Sequence, residues 1–245
     1  MVRALVLAAA AATVHHSRPV PVPVLMYHVI SPAPSVAPYP QLFVPPREFD
    51  AQMRWLARHG YHAITLRRAY DNWTEGSPVP ARPIVISFDD GYLSQYTRAF
   101  PELRALHWPG VLNLEVNFLQ PVGGMRPWRV RKLIAARWEI DAHTLTHPDL
   151  TRVDDARLWS EVDGSRRALR HDFHVPVDFF CYPSGRYDDR VVAAVRRAGF
   201  LGATTTMFGL ARPPDFFRLD RVEIDGSDRV RGLAAKLRKL TASAY

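Results

Sequence analysis

Cysteine is almost missing: Cys181 stands alone in 245 residues, which excludes a disulfide framework and a thiolate zinc site. Lysine is nearly as scarce. It occurs only at Lys132, Lys236 and Lys239, so arginine carries almost all of the 32 basic residues that face 24 acidic ones, a net +8. That excess comes without a basic stripe, a recognition helix or a run of aromatics interleaved with arginine, so no nucleic-acid partner is expected. An anionic cell envelope is the partner such a surface suits better. No apolar run approaches the roughly 20 residues needed to span about 30 Å of hydrocarbon, so no transmembrane span is expected. With 47% hydrophobic and 23% charged residues, the chain has the composition of one compact domain, a monomer, rather than a disordered or coiled-coil chain.

The start, MVRALVLAAAAATV, has a basic Arg3, an apolar stretch from Ala4 to Val14 and an A-x-A site at Ala10–Ala12. It reads as a secretory signal over residues 1–14, which makes the protein secreted or extracytoplasmic. Residues 20–245 then form a single domain. Strand and helix patterns alternate through it, with strands expected near 21–27, 63–64, 83–88, 111–116, 138–140, 177–182 and 201–205. Helices are expected from Pro46 to Gly60, from a Thr65 cap to Trp73, over 93–106, 128–136 and 188–198, from a Thr151 cap, and from a Ser227 cap. Pro83 to Phe88 is continuously apolar, as in a strand buried on both faces. A proline-rich loop, 31–46, is long enough to form a functional rim. Seven or so short alternations imply parallel strands in a barrel-like α/β architecture.

In such folds reactive groups collect at the C-terminal ends of strands. One strand ends in Ser87-Phe88-Asp89-Asp90-Gly91. Two adjacent carboxylates there are costly unless something positive lies beside them. Gly91 allows a sharp turn, so one can bind a metal while the other serves as general base, although Asp-Gly is also a common turn. A second strand end carries His143-Thr144-Leu145-Thr146-His147. On a straight strand these histidines would stand roughly 13 Å apart; the β-branched threonines and Pro148 argue against a regular helix, so a tight turn is expected. Asp90, His143 and His147 together would make a two-histidine, one-carboxylate site with open positions, suited to zinc or another divalent first-row ion (Co2+, Ni2+ or Mn2+).

SFDDGY (Ser87 to Tyr92) and HTLTH, flanked by WEIDAHTLTHPDL and FCYPSGRYDD, resemble the motifs of the polysaccharide deacetylases, the NodB-homology domain of carbohydrate esterase family 4. The likeness runs from about Val22 to Asp228. It implies a distorted (β/α)7-like barrel and a metal-dependent hydrolase that removes acetyl groups from N-acetylated sugars or from O-acetylated xylan. It also implies Asp89 as general base, Asp90, His143 and His147 as metal ligands, and a backbone N–H near Tyr182, Pro183 and Ser184 as oxyanion donor. PVLMYH, ending at His28, resembles the N-terminal phrase of exported deacetylases acting on poly-β-1,6-N-acetylglucosamine, which makes His28 the acid. Tyr92, Trp128 and Tyr182 would line a sugar groove.

Two departures from the family pattern stand out. Its third motif carries an arginine that holds the base, and Cys181 occupies that position here; either another basic residue such as Arg186 supports Asp89, or Asp89 is loosely held. No histidine follows His174, so the usual C-terminal acid is missing and His28 replaces it. The missing arginine motivates an alternative: a catalytically weak carbohydrate-binding relative.

Overall fold

A computed structural model describes residues 19–120 and 122–242; the signal segment expected over residues 1–14 lies outside them. The strands are β1 (Val24–Tyr27), β2 (His62–Ala63), β3 (Pro83–Asp90), β4 (Val111–Leu114), β5 (Glu139–Ala142), β6 (Phe179–Cys181), β7 (Gly202–Phe208) and β8 (Leu219–Glu223). The helices are α1 (Pro46–Arg58), α2 (Leu66–Glu75), α3 (Phe100–Ala105), α4 (Pro127–Ala135), α5 (Asp155–Phe173), α6 (Asp189–Arg197) and α7 (Arg229–Ala242). The strands pair in the order β1-β8-β7-β6-β5-β4-β3 and β1 closes onto β3, every pair parallel. The result is a seven-stranded closed barrel wrapped by helices.

The tally of seven strands matches the expectation, but the membership differs. The brief strand at 63–64 lies outside the closed ring: β2 pairs only with the first residues of β3 (His62↔Pro83, Ala63↔Ile84), and β1 takes over the same edge from Val85. The seventh barrel strand is β8, where the sequence pattern indicates none. Asp220, Arg221 and Glu223 interrupt its apolar character, so only Leu219 and Val222 signal a buried strand. Capping differs at two helices. Asp154, not Thr151, caps α5 by accepting from Arg157 N (2.8 Å), and the Ser227 hydroxyl donates to Asp225 instead of capping α7. Thr65 caps α2 as expected, accepting from Arg68 N. The helix expected over 93–106 is split: residues Gln95–Ala99 form a widened π turn before α3, a feature that often marks functional sites.

Alternation along each strand divides the side chains into two environments. Leu25, Ile86, Phe88, Leu112 and Ile140 belong to the main core, which packs the strands against the helices; Phe88 stacks on Trp138, centroids 5.2 Å apart. Val24, Val85, Val111, Phe179 and Leu219 form a second, separate cluster. Beyond that cluster the same strand faces turn polar: Ser87 and Asp89 on β3, Asn113 on β4, Asp141 on β5 and Arg221 on β8 are all buried.

Glu139 and Asp141, two residues apart on one face of β5, share this interior. Glu139 accepts from Arg67 N at the start of α2 (3.0 and 3.1 Å), and Asp141 from Phe179 N (3.0 Å). Burial pushes both carboxyls up, Glu139 to about 7 and Asp141 well above its usual range; Glu139 adds to the rise of Asp141, whereas hydrogen bonds from Arg67 N and Asp141 hold Glu139 back. Groups whose folded pKa is raised stabilise the fold below their unfolded pKa and lose that contribution as pH rises through the folded one. Unfolding free energy measured by urea denaturation should therefore fall between about pH 4 and 7 from this pair, and Asp141→Asn should flatten that fall.

Candidate active site

A cavity of about 580 Å³ opens where the C-terminal ends of the strands converge. β1 delivers His28, β3 Asp89 and Asp90, β4 Glu115, β5 His143, β6 Tyr182 and Ser184, β7 Thr206, and β8 Arg221 and Glu223. A larger hollow, about 770 Å³, is lined by Arg68, Arg104, Trp108 and Arg137 and shares none of these groups.

The two neighbouring aspartates have opposite surroundings. Asp89 is 2% exposed and gripped from three sides. Arg221 Nη1 and Nη2 donate to its two oxygens at 2.8 Å each, Asn113 Nδ2 donates at 2.7 Å, and Cys181 Sγ lies 3.6 Å from Oδ2. Burial alone would push this carboxyl up; Arg221, His28 and His143 reverse the sign and hold it far below the usual carboxylate range. Arg221, itself 1% exposed, is fixed by Nε donating to Thr205 O (2.7 Å) and by Cys181 Sγ at 3.2 Å. The basic group that supports Asp89 is therefore Arg221. Arg186 does not reach it and pairs with Asp149 on the surface (2.7 Å). The arginine missing from the third motif is supplied from β8, and the small Cys181 leaves room for it.

Asp90 turns the other way, because it adopts φ 73° and Gly91 φ 102°. A Cβ on Gly91 would meet Leu114 Cδ2 at 2.7 Å, so both the left-handed conformation and the close approach require glycine. Asp90 Oδ1 is buried with no hydrogen-bond partner, and it lies 3.4 Å from His143 Nε2 and 3.7 Å from His147 Nε2. Burial pushes Asp90 up, but His143 and His28 outweigh it and the carboxyl stays ionised. His143 Nδ1 lies 2.7 Å from Cys181 O. A carbonyl only accepts, so Nδ1 carries a proton; burial opposes a charged ring, but Cys181 and Asp90 outweigh it and push the His143 pKa well above its usual value, so Nε2 gives up its proton when it ligates an ion. Burial, then the neighbouring His143, lowers the pKa of His147, favouring the neutral imidazole a metal needs. The three ligand atoms lie within 4.8 Å of one another. An orphaned carboxylate oxygen facing two imidazole nitrogens is the donor set of a divalent first-row ion, so the residues fit the expected metal.

His28 Nε2 stands 3.8 Å from Asp89 Oδ2. Gln95, in the π turn, donates through Nε2 to His28 O (2.9 Å) and Asp89 O (2.6 Å), tying the ends of β1 and β3 together. The expected sugar-groove residues separate. Tyr92 lines the cavity, and burial with Asp90 and Glu115 pushes its phenol up to about 12. Tyr182 borders the cavity but is 0% exposed and donates its hydroxyl to Phe217 O (3.0 Å), so its ring offers no face to a sugar. Trp128, 48% exposed, packs edge-on against Tyr96 and does not line the cavity. Pro183 is buried and also stays out of the lining. Tyr39 and Phe118 do line it; Tyr39 belongs to the proline-rich loop, whose length was its only sequence signal. Of the expected oxyanion donors, Tyr182 N is taken by Thr204 O and Pro183 has none, which leaves Ser184 N–H at φ 52°.

A closed parallel barrel with an Asp/Asp/His/His constellation at its strand ends defines a hydrolase-type site. Comparison with known proteins gives the family. The polysaccharide deacetylase family profile matches residues 76–203, just over half of the chain, and the protein belongs to that enzyme family. It is 27% identical over 208 residues to YxkH of Bacillus subtilis (strain 168), spanning 84% of this chain and 72% of that one. It is also 22% identical over 195 residues to the poly-β-1,6-N-acetyl-D-glucosamine N-deacetylase of Staphylococcus epidermidis, spanning 72% and 66%. Among solved structures it is similar to BC0361, a polysaccharide deacetylase from Bacillus cereus, with a TM-score of 0.79 at 28% identity over 89% of this chain and 69% of that one.

Removing one member of a buried ion pair strands the other. Arg221→Met should cost about 3–5 kcal/mol in denaturant unfolding at pH 7. An Asp89→Asn/Arg221→Met double variant should recover part of that loss.

Proposed function

We propose that the protein is a metal-dependent N-deacetylase of an extracytoplasmic polysaccharide containing N-acetylglucosamine. The observation that carries this reading is the divergence at Asp89-Asp90: one carboxylate is locked by Arg221 and Asn113 beside His28, the other faces two imidazoles. The named activity of the S. epidermidis relative supports the polymer class. The signal-like start supports an extracytoplasmic site, and among the described residues no helix is long and apolar enough to cross a membrane.

Asp90, His143 and His147 would hold the ion, with zinc as the first expectation. When bound, a divalent ion there polarises the acyl carbonyl and makes a water acidic enough to attack near neutral pH. Asp89 accepts that water's proton at Oδ2. Arg221 and Asn113 keep its carboxylate ionised and aimed, and also make it a weak base in the free chain. Ser184 N–H is the donor left for the oxygen on which negative charge develops. As the C–N bond breaks, His28 Nε2 delivers a proton to the departing amine. Amide and water thus become free amine and acetate. Tyr92, Tyr39 and Phe118 offer the aromatic surfaces that bear on the sugar.

The alternative of a catalytically weak, carbohydrate-binding relative was motivated by the missing third-motif arginine, and Arg221 removes that motive. An O-acetyl esterase would use the same groups, so substrate decides between them. Purified protein should release acetate from poly-β-1,6-N-acetylglucosamine or chito-oligomers in preference to acetylxylan, lose that activity on chelation and regain it on zinc or cobalt add-back. His28→Ala should lower turnover by roughly 10²- to 10⁴-fold. Metal-replete protein that releases no acetate from any acetylated polymer would refute the reading.

A further inference from the structure

Four donors of the segment between His143 and His147, and of the helix behind it, converge on one buried carboxylate that takes no part in the chemistry above. Glu161 on α5 is 1% exposed. Its Oε2 accepts from Leu145 N (2.8 Å) and Thr146 N (2.9 Å). Its Oε1 accepts from Thr146 Oγ1 (2.6 Å) and Arg157 Nε (2.8 Å). Arg157 Nη2 donates in turn to Thr146 Oγ1 (2.8 Å), closing the network.

What this carboxylate holds is an unfavourable backbone. Histidines four residues apart on a straight strand would be roughly 13 Å apart, yet these rings have centroids 4.8 Å apart. The chain closes that gap by placing Thr144 at φ 67° and His147 at φ 54°. Two non-glycine residues in the left-handed region persist only where the surroundings over-determine them. Part of that determination is internal, since Thr144 Oγ1 accepts from His147 N (2.8 Å). The rest comes from α5. Gly164, one turn beyond Glu161, lets Leu145 settle on the helix, for a Cβ there would meet Leu145 Cδ1 at 3.2 Å. Glu161 supplies charge-assisted bonds to the two consecutive N–H groups of the turn. Its hydrogen bonds go to Leu145, Thr146 and Arg157 and to none of Asp90, His143 and His147, so it bears on the ligands through the turn.

We propose that Glu161 is a positioning residue for the ligand pair: by fixing the turn it sets the spacing of His143 and His147, and thereby the affinity for the divalent ion and the ion's coordination geometry. This rests on the reading that Asp90, His143 and His147 hold such an ion.

The test uses the full chain, stripped of metal and titrated with Zn2+ against a chromophoric chelator and with Co2+ by visible absorption. Wild type, Glu161→Gln and Thr146→Val are compared well below each apo protein's melting temperature. Glu161→Gln keeps the size of the side chain but loses its charge and turns an amide N–H₂ toward donors. It should weaken zinc binding by about 10- to 100-fold and shift the Co2+ absorption bands. Thr146→Val removes one donor from the same carboxylate and should move both readouts in the same direction by less; it decides the matter if Glu161→Gln does not fold. Wild-type affinity and an unaltered Co2+ spectrum in a folded variant would overturn the proposal, because a residue that only tied α5 to the barrel would lower melting temperature without changing the coordination of bound ion. If wild type itself takes up neither ion, the failure lies with the metal-site reading instead.

Discussion

The site depends on a charge that the barrel interior cannot tolerate alone. Asp89 lies where an isolated carboxylate would take up a proton, and the bidentate guanidinium of Arg221 keeps it ionised. Asn113 and the small Cys181 complete the enclosure. Because β3 and β8 lie on opposite sides of β1 in the closed ring, the pair bridges the barrel lumen rather than two neighbouring strands. Closure of the sheet and ionisation of Asp89 thus support each other. A buried pair of this kind contributes little net stability compared with apolar packing, but losing one partner is severe, so its value here is the fixed orientation of a charged oxygen toward His28.

The second constraint is the abrupt change of direction after that oxygen. Asp90 and Gly91 both leave the ordinary backbone regions, which sends adjacent carboxylates into separate environments within one residue. The histidine turn makes a comparable departure at Thr144 and His147. Left-handed residues occur elsewhere too (Arg82, His107, Arg137, His174, Arg229), but three of the strand ends that line the cavity carry them, at Asp90, at Thr144 and His147, and at Ser184, while the strands pair in parallel with one register shift between β7 and β8. That distribution follows from the fold: regular strands set positions to within a fraction of an ångström, and the loops that leave them redirect side chains.

Much of this was legible in the sequence, and the exceptions have a common cause. Asp89, Asp90, His143 and His147 announced themselves because acidic and imidazole groups directly after apolar runs are costly to bury unless they pair with one another or with an ion. The parallel architecture was legible from alternation, and Thr65 from capping chemistry. Arg221 was not: an arginine between aspartate and valine, in a chain dense with arginine, reads as a solvated surface residue, and β8 was lost with it. Its burial is a consequence of ring closure, which joins segments more than a hundred residues apart. The surroundings of Tyr182 were hidden for the converse reason. A tyrosine at a strand end looks available to a sugar, and only the packing shows its hydroxyl committed to Phe217 O. Glu161 carried no motif either, since its partners are backbone N–H groups that any sequence could present.

The central claim is that two adjacent carboxylates have separate duties, Asp89 in proton transfer and Asp90 in holding the ion. Metal content of Asp89→Asn and Asp90→Asn, each loaded with zinc, dialysed and assayed for bound ion per chain, tests it most directly. The account predicts about one ion retained in Asp89→Asn and almost none in Asp90→Asn. Equal retention in both, or loss from Asp89→Asn alone, would contradict it.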